Sequence, residues 1–545
     1  MRALAILIAG LAGPAGAQGF CVPIDRIDVT GATLVTQSQI EDAVREFEGY
    51  CLGMEQINAA LEAVTFLYVD RGYITARAYL PEQNIADRSL DIRVVEGELA
   101  AIRFNGQERR IWQQIAFPGL TGRTANLREI EQGLDIIRGM PSFEATMEIT
   151  AGEAEGQSIL DVSAAADKRW TARIGANNFG TPEKGEYNGF ADLTYDHLLG
   201  LNETWSLNLS RGAEGNPFTR DTGGAATENA SLGLRLPYGP WALQGTYRYS
   251  YYETDTLGPI TSIGTDGWTN IADLSLSRVL HRNQDSKTSV RGVVTWRDNV
   301  NRIAEIQINA SSRTLASARI DLDHERGLWG GGLSARIGYE QGLDAFGAEV
   351  AADPLVGPNP QFTLADFELR YGRGWPRESG NIGFSTTLRG QWSDDALYGA
   401  YQFGIGGQSS VRGVKVWNSA SIPDPDGDGP LKETPSRNLG LFTGNTGLVW
   451  RNDVSWSPNV TLPATFGALQ TYAGLDAGIV DFDRDGASKA LTGAAIGVRT
   501  TGGTVSVDLA WHRLLSIYEE TDPGPTLSPV LDPKGVILLS VTATF

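Results

Sequence analysis

The chain is poor in the residues that usually carry chemistry. It has two cysteines, four histidines and four methionines among 545 residues. The histidines His197, His281, His324 and His512 are scattered and share no metal-ligand spacing. No G-x-S-x-G, H-E-x-x-H, C-x-x-C or G-x-x-x-x-G-K-[ST] pattern occurs. Acyl transfer, zinc proteolysis, dithiol exchange and phosphate cradling therefore have no support, and no catalysis, cofactor or metal site is expected. Positive charge is also short. Forty-five Lys and Arg face 65 Asp and Glu, a net charge of −20. That excludes nucleic acid as a partner, since it selects basic faces. Beyond the N-terminus no apolar run reaches 18 residues, which excludes a helical membrane protein. What survives is a secreted soluble protein or a membrane β-barrel, whose strands are short and alternating. The length asks for two or more domains.

Arg2 precedes the apolar run Ala3–Ala9, and Pro14-Ala15-Gly16-Ala17-Gln18 follows with small residues at cleavage spacing. Residues 1–17 read as a secretory signal cleaved after Ala17. Export places Cys21 and Cys51 in an oxidising compartment. There they can close one loop of about 30 residues, worth roughly 3–4 kcal/mol. The other reading is two buried thiols.

From residue 18 to 165 two small α/β units are expected. Ile24–Val29 reads as a strand. Ile40, Val44 and Phe47 recur at helical spacing, and Ile57, Leu61, Val64 and Leu67 mark a second helix. Tyr73–Leu80 and Leu90–Val95 read as strands around Pro81 and Asn84. The β-α-α-β-β order then repeats: Leu99–Phe104, Ile111–Ala116, Asn126–Ile137, Phe143–Ile149 and Ser158–Val162. Such a unit leaves an edge strand beside a helix. Main-chain hydrogen bonds at that edge can hold an extended polypeptide, or the edge can pack on a neighbouring domain. The expected edges are Tyr73-Ile74-Thr75-Ala76-Arg77-Ala78-Tyr79-Leu80 and Phe143–Ile149.

From Trp170 onward the period changes to two. Ala191, Leu193 and Tyr195 oppose Asp192, Thr194 and Asp196, and Val505, Val507, Leu509 and Trp511 oppose Ser506, Asp508 and Ala510. One lipid face and one wet lumen demand this pattern, whereas a soluble sandwich would show fewer outward aromatics. Val536–Phe545 alternates in the same way and stops on Phe545.

Several stretches resemble one family. Gly72–Gln83 is similar to the first polypeptide-transport-associated (POTRA) domain of two-partner secretion transporters. Arg93-Val94-Val95-Glu96-Gly97 resembles the junction between that family's two POTRA domains, and Cys21 and Cys51 fall where it often places a pair. Val411-Arg412-Gly413 resembles the VRGY/F motif of the BamA-like superfamily, and Gly474-Leu475-Asp476-Ala477-Gly478 its G-x-D-x-G-like pattern. Phe545 resembles the aromatic read by the barrel assembly machinery.

The resemblance implies a mainly β protein. A signal peptide (1–17) is followed by POTRA domains over 18–97 and 98–165. A 16-stranded antiparallel barrel spans 166–545, with a loop around 404–440 folded into it. It implies that Arg412 meets Asp476 on the inner wall, with glycines 413, 474 and 478 allowing close approach. It implies an outer-membrane transporter whose periplasmic POTRA domains capture an unfolded exoprotein bearing an N-terminal two-partner secretion domain and whose barrel secretes it, with the barrel assembly machinery, periplasmic chaperones and outer-membrane lipid as further partners. Alternatives are an assembly protein of the same superfamily, a passive porin-like or adhesive barrel, and a secreted β-rich binding protein.

Some features depart from the family pattern. Val414 stands where an aromatic is usual. About 20 residues are inserted before Thr443-Gly444-Asn445-Thr446-Gly447…Arg451-Asn452-Asp453. The insertion holds Asp424-Pro425-Asp426-Gly427-Asp428-Gly429, spaced like a calcium loop. Pro435 stands where the bidentate acid belongs, and Thr492 does so after Asp481–Gly486. Solvated turns or weak calcium sites are the two readings. With about six residues between the signal and Ile24, no plug helix is expected.

Overall fold

The computed structural model describes residues 21–180, 185–219, 225–257, 262–350, 357–414, 442–482, 488–521, 524–528 and 535–545. The signal segment, the acidic insertion at 424–429, most of the folded-in loop and residues 483–487 lie outside them. Two compact units form: residues up to 135 with 145–164, and residues 136–144 with 165–545.

The smaller unit begins with strands β1 (Val22–Ile24) and β2 (Arg26–Thr30), helix α1 (Gln37–Val44), strand β3 (Tyr50–Leu52) and helix α2 (Met54–Asp70). Strands β4 (Arg77–Tyr79) and β5 (Ser89–Val95) complete its first sheet, ordered β2-β5-β4. Ile40, Val44, Ile57, Ala60, Val64 and Tyr68 bury against Leu90, Ile92 and Val94. The helical face therefore runs through Ala60 and Tyr68; Leu61 and Leu67 only flank it. β1 pairs antiparallel with β3. This ladder places Cys51 opposite Pro23, and the Cys21–Cys51 disulfide closes beside it.

The β-α-α-β-β order returns in β6 (Glu98–Phe104), α3 (Arg110–Ala116), α4 (Leu127–Arg138), β7 (Glu144–Ala151) and β8 (Gln157–Ala165). This sheet is ordered β6-β8-β7. In both β-α-α-β-β repeats the last strand is central and pairs parallel with the opening strand of its sheet, β5 with β2 and β8 with β6. Gly133 is required in α4, because a Cβ there would come within 2.1 Å of the Phe117 ring.

The larger unit is a closed antiparallel barrel. Among the described residues its closed order contains 16 long strands, from Trp170–Asn177 to Val536–Thr544, with short ladders at Ile306–Gln307 and Gly524–Ser528. Leu193, Leu207, Leu209, Leu243, Tyr247, Leu509, Trp511, Ile537 and Leu539 are exposed, the lipid-facing half of the alternation. Charge pairs with charge on the other face: Arg319 bonds Asp321 and Asp366 at 2.7 and 2.6 Å. The barrel closes where Val536–Thr544 meets Trp170–Asn177, over the five partners Ser540–Thr544 and Arg173–Asn177. Phe545 exchanges backbone hydrogen bonds with Ala172. Its ring is exposed.

Candidate functional site

Residues 403–414 carry the arginine. The glycine-rich lead-in includes a three-residue strand, Phe403–Ile405, paired with Phe442–Gly444. Gly406 and Gly407 then take φ of +106 and +91°, and the chain turns sharply. Ser410 Oγ donates to the Gly406 carbonyl at 2.7 Å and tightens the turn. Gly413 follows at φ +93°. A Cβ on it would stand 2.1 Å from the Arg513 carbonyl carbon, so the backbone lies directly on the barrel wall.

Arg412 and Asp476 meet. Arg412 Nε donates to Asp476 Oδ2 at 2.6 Å, Nη2 to Oδ1 at 2.7 Å, and the Arg412 backbone N–H to Oδ2 at 3.0 Å. A bidentate fork with a third donor fixes distance and orientation together. Both residues are 4% exposed. The guanidinium has a second acid that the sequence did not assign: Nη1 donates to Asp453 Oδ1 at 2.6 Å. Asp453 belongs to the Thr443…Asp453 pattern, and adjacent-strand register explains its role. Asp453 lies opposite Gly474, and Arg451 opposite Asp476. Arg451 Nε approaches Asp476 Oδ1 at 3.8 Å, and its Nη1 donates to the Gln408 carbonyl at 2.7 Å. Two arginines and two aspartates thus form one network, with residues 408–412 tied in at both ends.

Glycines hollow out the wall beneath it. A Cβ on Gly474 would sit 2.1 Å from Arg412 Nη2 and 2.5 Å from Asp453 Oδ1, and one on Gly478 2.9 Å from Val411. Gly493, opposite Asp476, was not singled out by sequence, yet a Cβ there would lie 1.9 Å from the Arg412 carbonyl oxygen. Around the network pack Ile405, Val411, Val414, Val449, Val480, Leu491, Leu514 and Ile517. Val414, in the place of the usual aromatic, is buried in this cluster.

A cavity of about 430 Å³ adjoins the network, with Arg412, Arg451, Asp453, Arg499, Asp508 and His512 in its walls. His512 is buried there, and among the described residues neither ring nitrogen has a hydrogen-bond partner. Among the described residues no cluster of acids, histidines and cysteines could hold a metal ion.

The expected polypeptide-binding edge differs from its sequence reading. Only Arg77, Ala78 and Tyr79 are strand; Tyr73, Ile74, Thr75 and Ala76 form a turn. The turn closes through Ala76 N–H to the Tyr73 carbonyl, and Ala76 is fully buried. β4 is an edge, but the Ala78 N–H is already capped by Thr65 Oγ1 of α2 at 3.1 Å. Tyr79 and Leu80 are exposed beside it. In the second β-α-α-β-β repeat β7 is the longer edge, at eight residues.

Glu96, at the junction, holds the turn before α1. It accepts from Thr33 N–H and Oγ1, Leu34 N–H at 2.8 Å and Tyr68 OH at 3.0 Å. Burial pushes this carboxyl up, but those hydrogen bonds outweigh it and hold it below the ordinary range. Gly97 follows at φ +64°, against the Thr75 carbonyl.

Comparison with known proteins accords with this construction. The pattern of the haemolysin secretion/activation protein family ShlB/FhaC/HecB matches residues 156–421 and 439–500. A ShlB-type POTRA domain matches 22–97, and a further POTRA domain 98–151. The outer membrane transporter CdiB of Escherichia coli O6:K15:H31 is 31% identical over 513 residues, covering 90% of this chain and 79% of the relative. The hemolysin transporter protein ShlB of Serratia marcescens is 29% identical, covering 80% and 76%. The solved structure of CdiB from Escherichia coli superposes with a TM-score of 0.83 at 29% identity, over 98% of this chain and 93% of that one. The chain therefore belongs to the ShlB/FhaC/HecB haemolysin secretion/activation family: it is an outer-membrane transporter of two-partner secretion, with its POTRA domains in the periplasm.

Proposed function

We propose that residues 404–414 are the inward-folded part of a gate and that Arg412 is its anchor. The observation that carries this is the bidentate Arg412–Asp476 contact, with Asp453 as second acceptor, inside the barrel. The Asp476 side chain is fully buried, so loss of the arginine side chain leaves a buried carboxylate whose one nearby charge is Arg451, at 3.8 Å, with the residue-412 backbone N–H as its remaining donor from the loop. Breaking one partner of such a pair costs about 3–5 kcal/mol, enough to shift the loop outward.

The exoprotein is unfolded when it reaches the POTRA domains, which divide at 97/98 and end at 165/166. Barrel assembly machinery, reading the strand that ends in Phe545, and periplasmic chaperones are the further partners. No nucleotide drives the passage; folding of the exoprotein outside gives it direction. No catalytic step is part of this reading. The edge β7 is the better landing strip, since β4 offers no free central donor.

The test is a double-mutant cycle in the full chain, with Arg412→Ala, Asp476→Asn and both. Single-channel conductance measures loop release, and exoprotein in the medium measures transport. Each single change should open the channel, and the double should add little to either, a coupling of about 1–3 kcal/mol. Additive effects would sink the anchor. A charge swap is the poorer experiment, because a glutamate at 412 would face Asp453 and an arginine at 476 would face Arg451. For the transport reading, deletion of the gene should remove one large extracellular protein. Collective loss of outer-membrane proteins would overturn it.

A further inference from the structure

On the outer face of the barrel, the residues Ile174, Ala191, Leu209, Ala230 and Tyr249 are successive cross-strand partners. The row alternates large and small, so its alanines form hollows between the ridges. Two residues further along these strands, on the same face, lies a second row, Gly189, Arg211 and Glu228. The chain enters the barrel from the periplasmic domains at Trp170. The Asn177 end of that first strand is therefore extracellular, and so are the neighbouring ends at Tyr187, Ala213 and Ala226. Both rows sit near the outer rim.

An overhang covers the hollow. The Phe218 ring rests on Gly189, where a Cβ would come 2.7 Å from a ring carbon. The turn holding it is fixed twice. Asn216 Oδ1 accepts from the Phe218 N–H at 2.9 Å, and Arg211 Nη1 donates to the Thr219 carbonyl at 2.6 Å. Arg211 is also paired with Glu228 at 3.3 Å. Phe218 is 64% exposed although it is held in place, so its second face is offered outward. The space bounded by Gly189, Ala191, Ala230, Leu209, Pro217 and Phe218 is about 580 Å³.

We propose that this slot binds one acyl chain of an outer-leaflet lipopolysaccharide. It is continuous with the lipid-facing belt, so hydrocarbon is the medium that reaches it. It opens at the extracellular rim, the leaflet in which that glycolipid resides. Its small-residue floor and aromatic roof match a narrow apolar chain. A chain seated there would be held on two sides instead of one, which separates it from ordinary boundary lipid.

The test is native mass spectrometry of the full chain, purified from outer membranes in mild detergent. A lipopolysaccharide adduct is expected on the natural protein. Ala191→Trp fills the slot and Phe218→Ser removes its roof; each should lower the adduct fraction at least ten-fold. Ala191 keeps its backbone ladder whatever side chain it carries and Phe218 lies in the turn between strands, so neither change removes a ladder hydrogen bond; heat-modifiable migration on gels verifies that the variants fold. Leu243→Ala, on the lipid face elsewhere, should leave the adduct unchanged. An unchanged adduct in both slot variants, equal loss in Leu243→Ala, or an adduct of phospholipid alone would overturn the proposal.

Discussion

At the residue scale the network around Arg412 depends as much on missing side chains as on charge. Gly474 and Gly245 are both strand glycines, but a Cβ on Gly245 would meet nothing within 4 Å, whereas one on Gly474 would meet Arg412 at 2.1 Å. Gly474→Ala should therefore imitate loss of the arginine, raising channel conductance, while Gly245→Ala should be silent. Equal behaviour of the two would show that the wall is not filled by Arg412. Glu96 makes a second prediction. Its carboxylate is stabilised in the folded state, so the unfolded chain binds protons more readily as pH falls. The stabilisation is complete above the ordinary glutamate value of 4.5 and is lost as pH drops through the lower folded value. Glu96→Gln should speed hydrogen exchange at the Thr33 and Leu34 amides at pH 7, by about 1 kcal/mol. The difference from the natural chain should shrink below about pH 4.5; a gap that widened there would refute the assignment. Arg412 and Asp476 were legible because Val411-Arg412-Gly413 and Gly474-Leu475-Asp476-Ala477-Gly478 resemble the two motifs that the superfamily pairs. Asp453 and Gly493 were not, because their roles come from strand register, which a single chain does not display.

At the element scale the barrel seam is the shortest ladder between its long strands, with five backbone partners where Trp241–Leu257 and Ser262–Arg282 share seventeen. Asn178 lengthens it. Its Nδ2 donates to the Ile537 carbonyl at 3.0 Å, its Oδ1 accepts from Leu539 N–H at 2.8 Å, and its own N–H donates to the Leu539 carbonyl. The side-chain amide thus acts as one more peptide group after the strand has ended. Asn178→Ala should remove two hydrogen bonds, costing about 1–3 kcal/mol. Lower melting of the barrel on heat-modifiability gels, with Asn188→Ala as comparison, checks this; an unchanged transition would deny Asn178 a clasping role. Periodicity revealed this region as barrel strands, and the terminal phenylalanine marked the closing one. The clasp was invisible because an asparagine after a strand reads as a turn residue. The β4 edge failed for a related reason. Tyr73–Leu80 alternates well enough to look extended, but Ala76 is drawn into the core and Thr65, distant in sequence, caps the remaining edge.

At the scale of the whole molecule, the question is whether the exoprotein travels along the lumen or leaves through the seam. Arg173 and Thr544 are partners across it. The neighbouring pair, Ala172 and Phe545, exchanges both backbone hydrogen bonds, so Arg173 and Thr544 form a non-hydrogen-bonded pair with close Cα atoms. That separation suits a disulfide. The only natural cysteines already bond each other in the first POTRA domain, so an engineered pair would be chemically distinct. Arg173→Cys with Thr544→Cys should close the seam covalently under oxidation and leave it free under reduction. The anchored loop lies on strands around Asp453, Asp476, Gly493 and Leu514; in the proposed gate its withdrawal would enlarge the lumen without parting the seam. Export should therefore proceed in the oxidised barrel at a rate within two-fold of the reduced one. Export that stopped on oxidation and resumed on reduction would place the route through the seam, and the Arg412 anchor would then regulate something other than passage along the lumen.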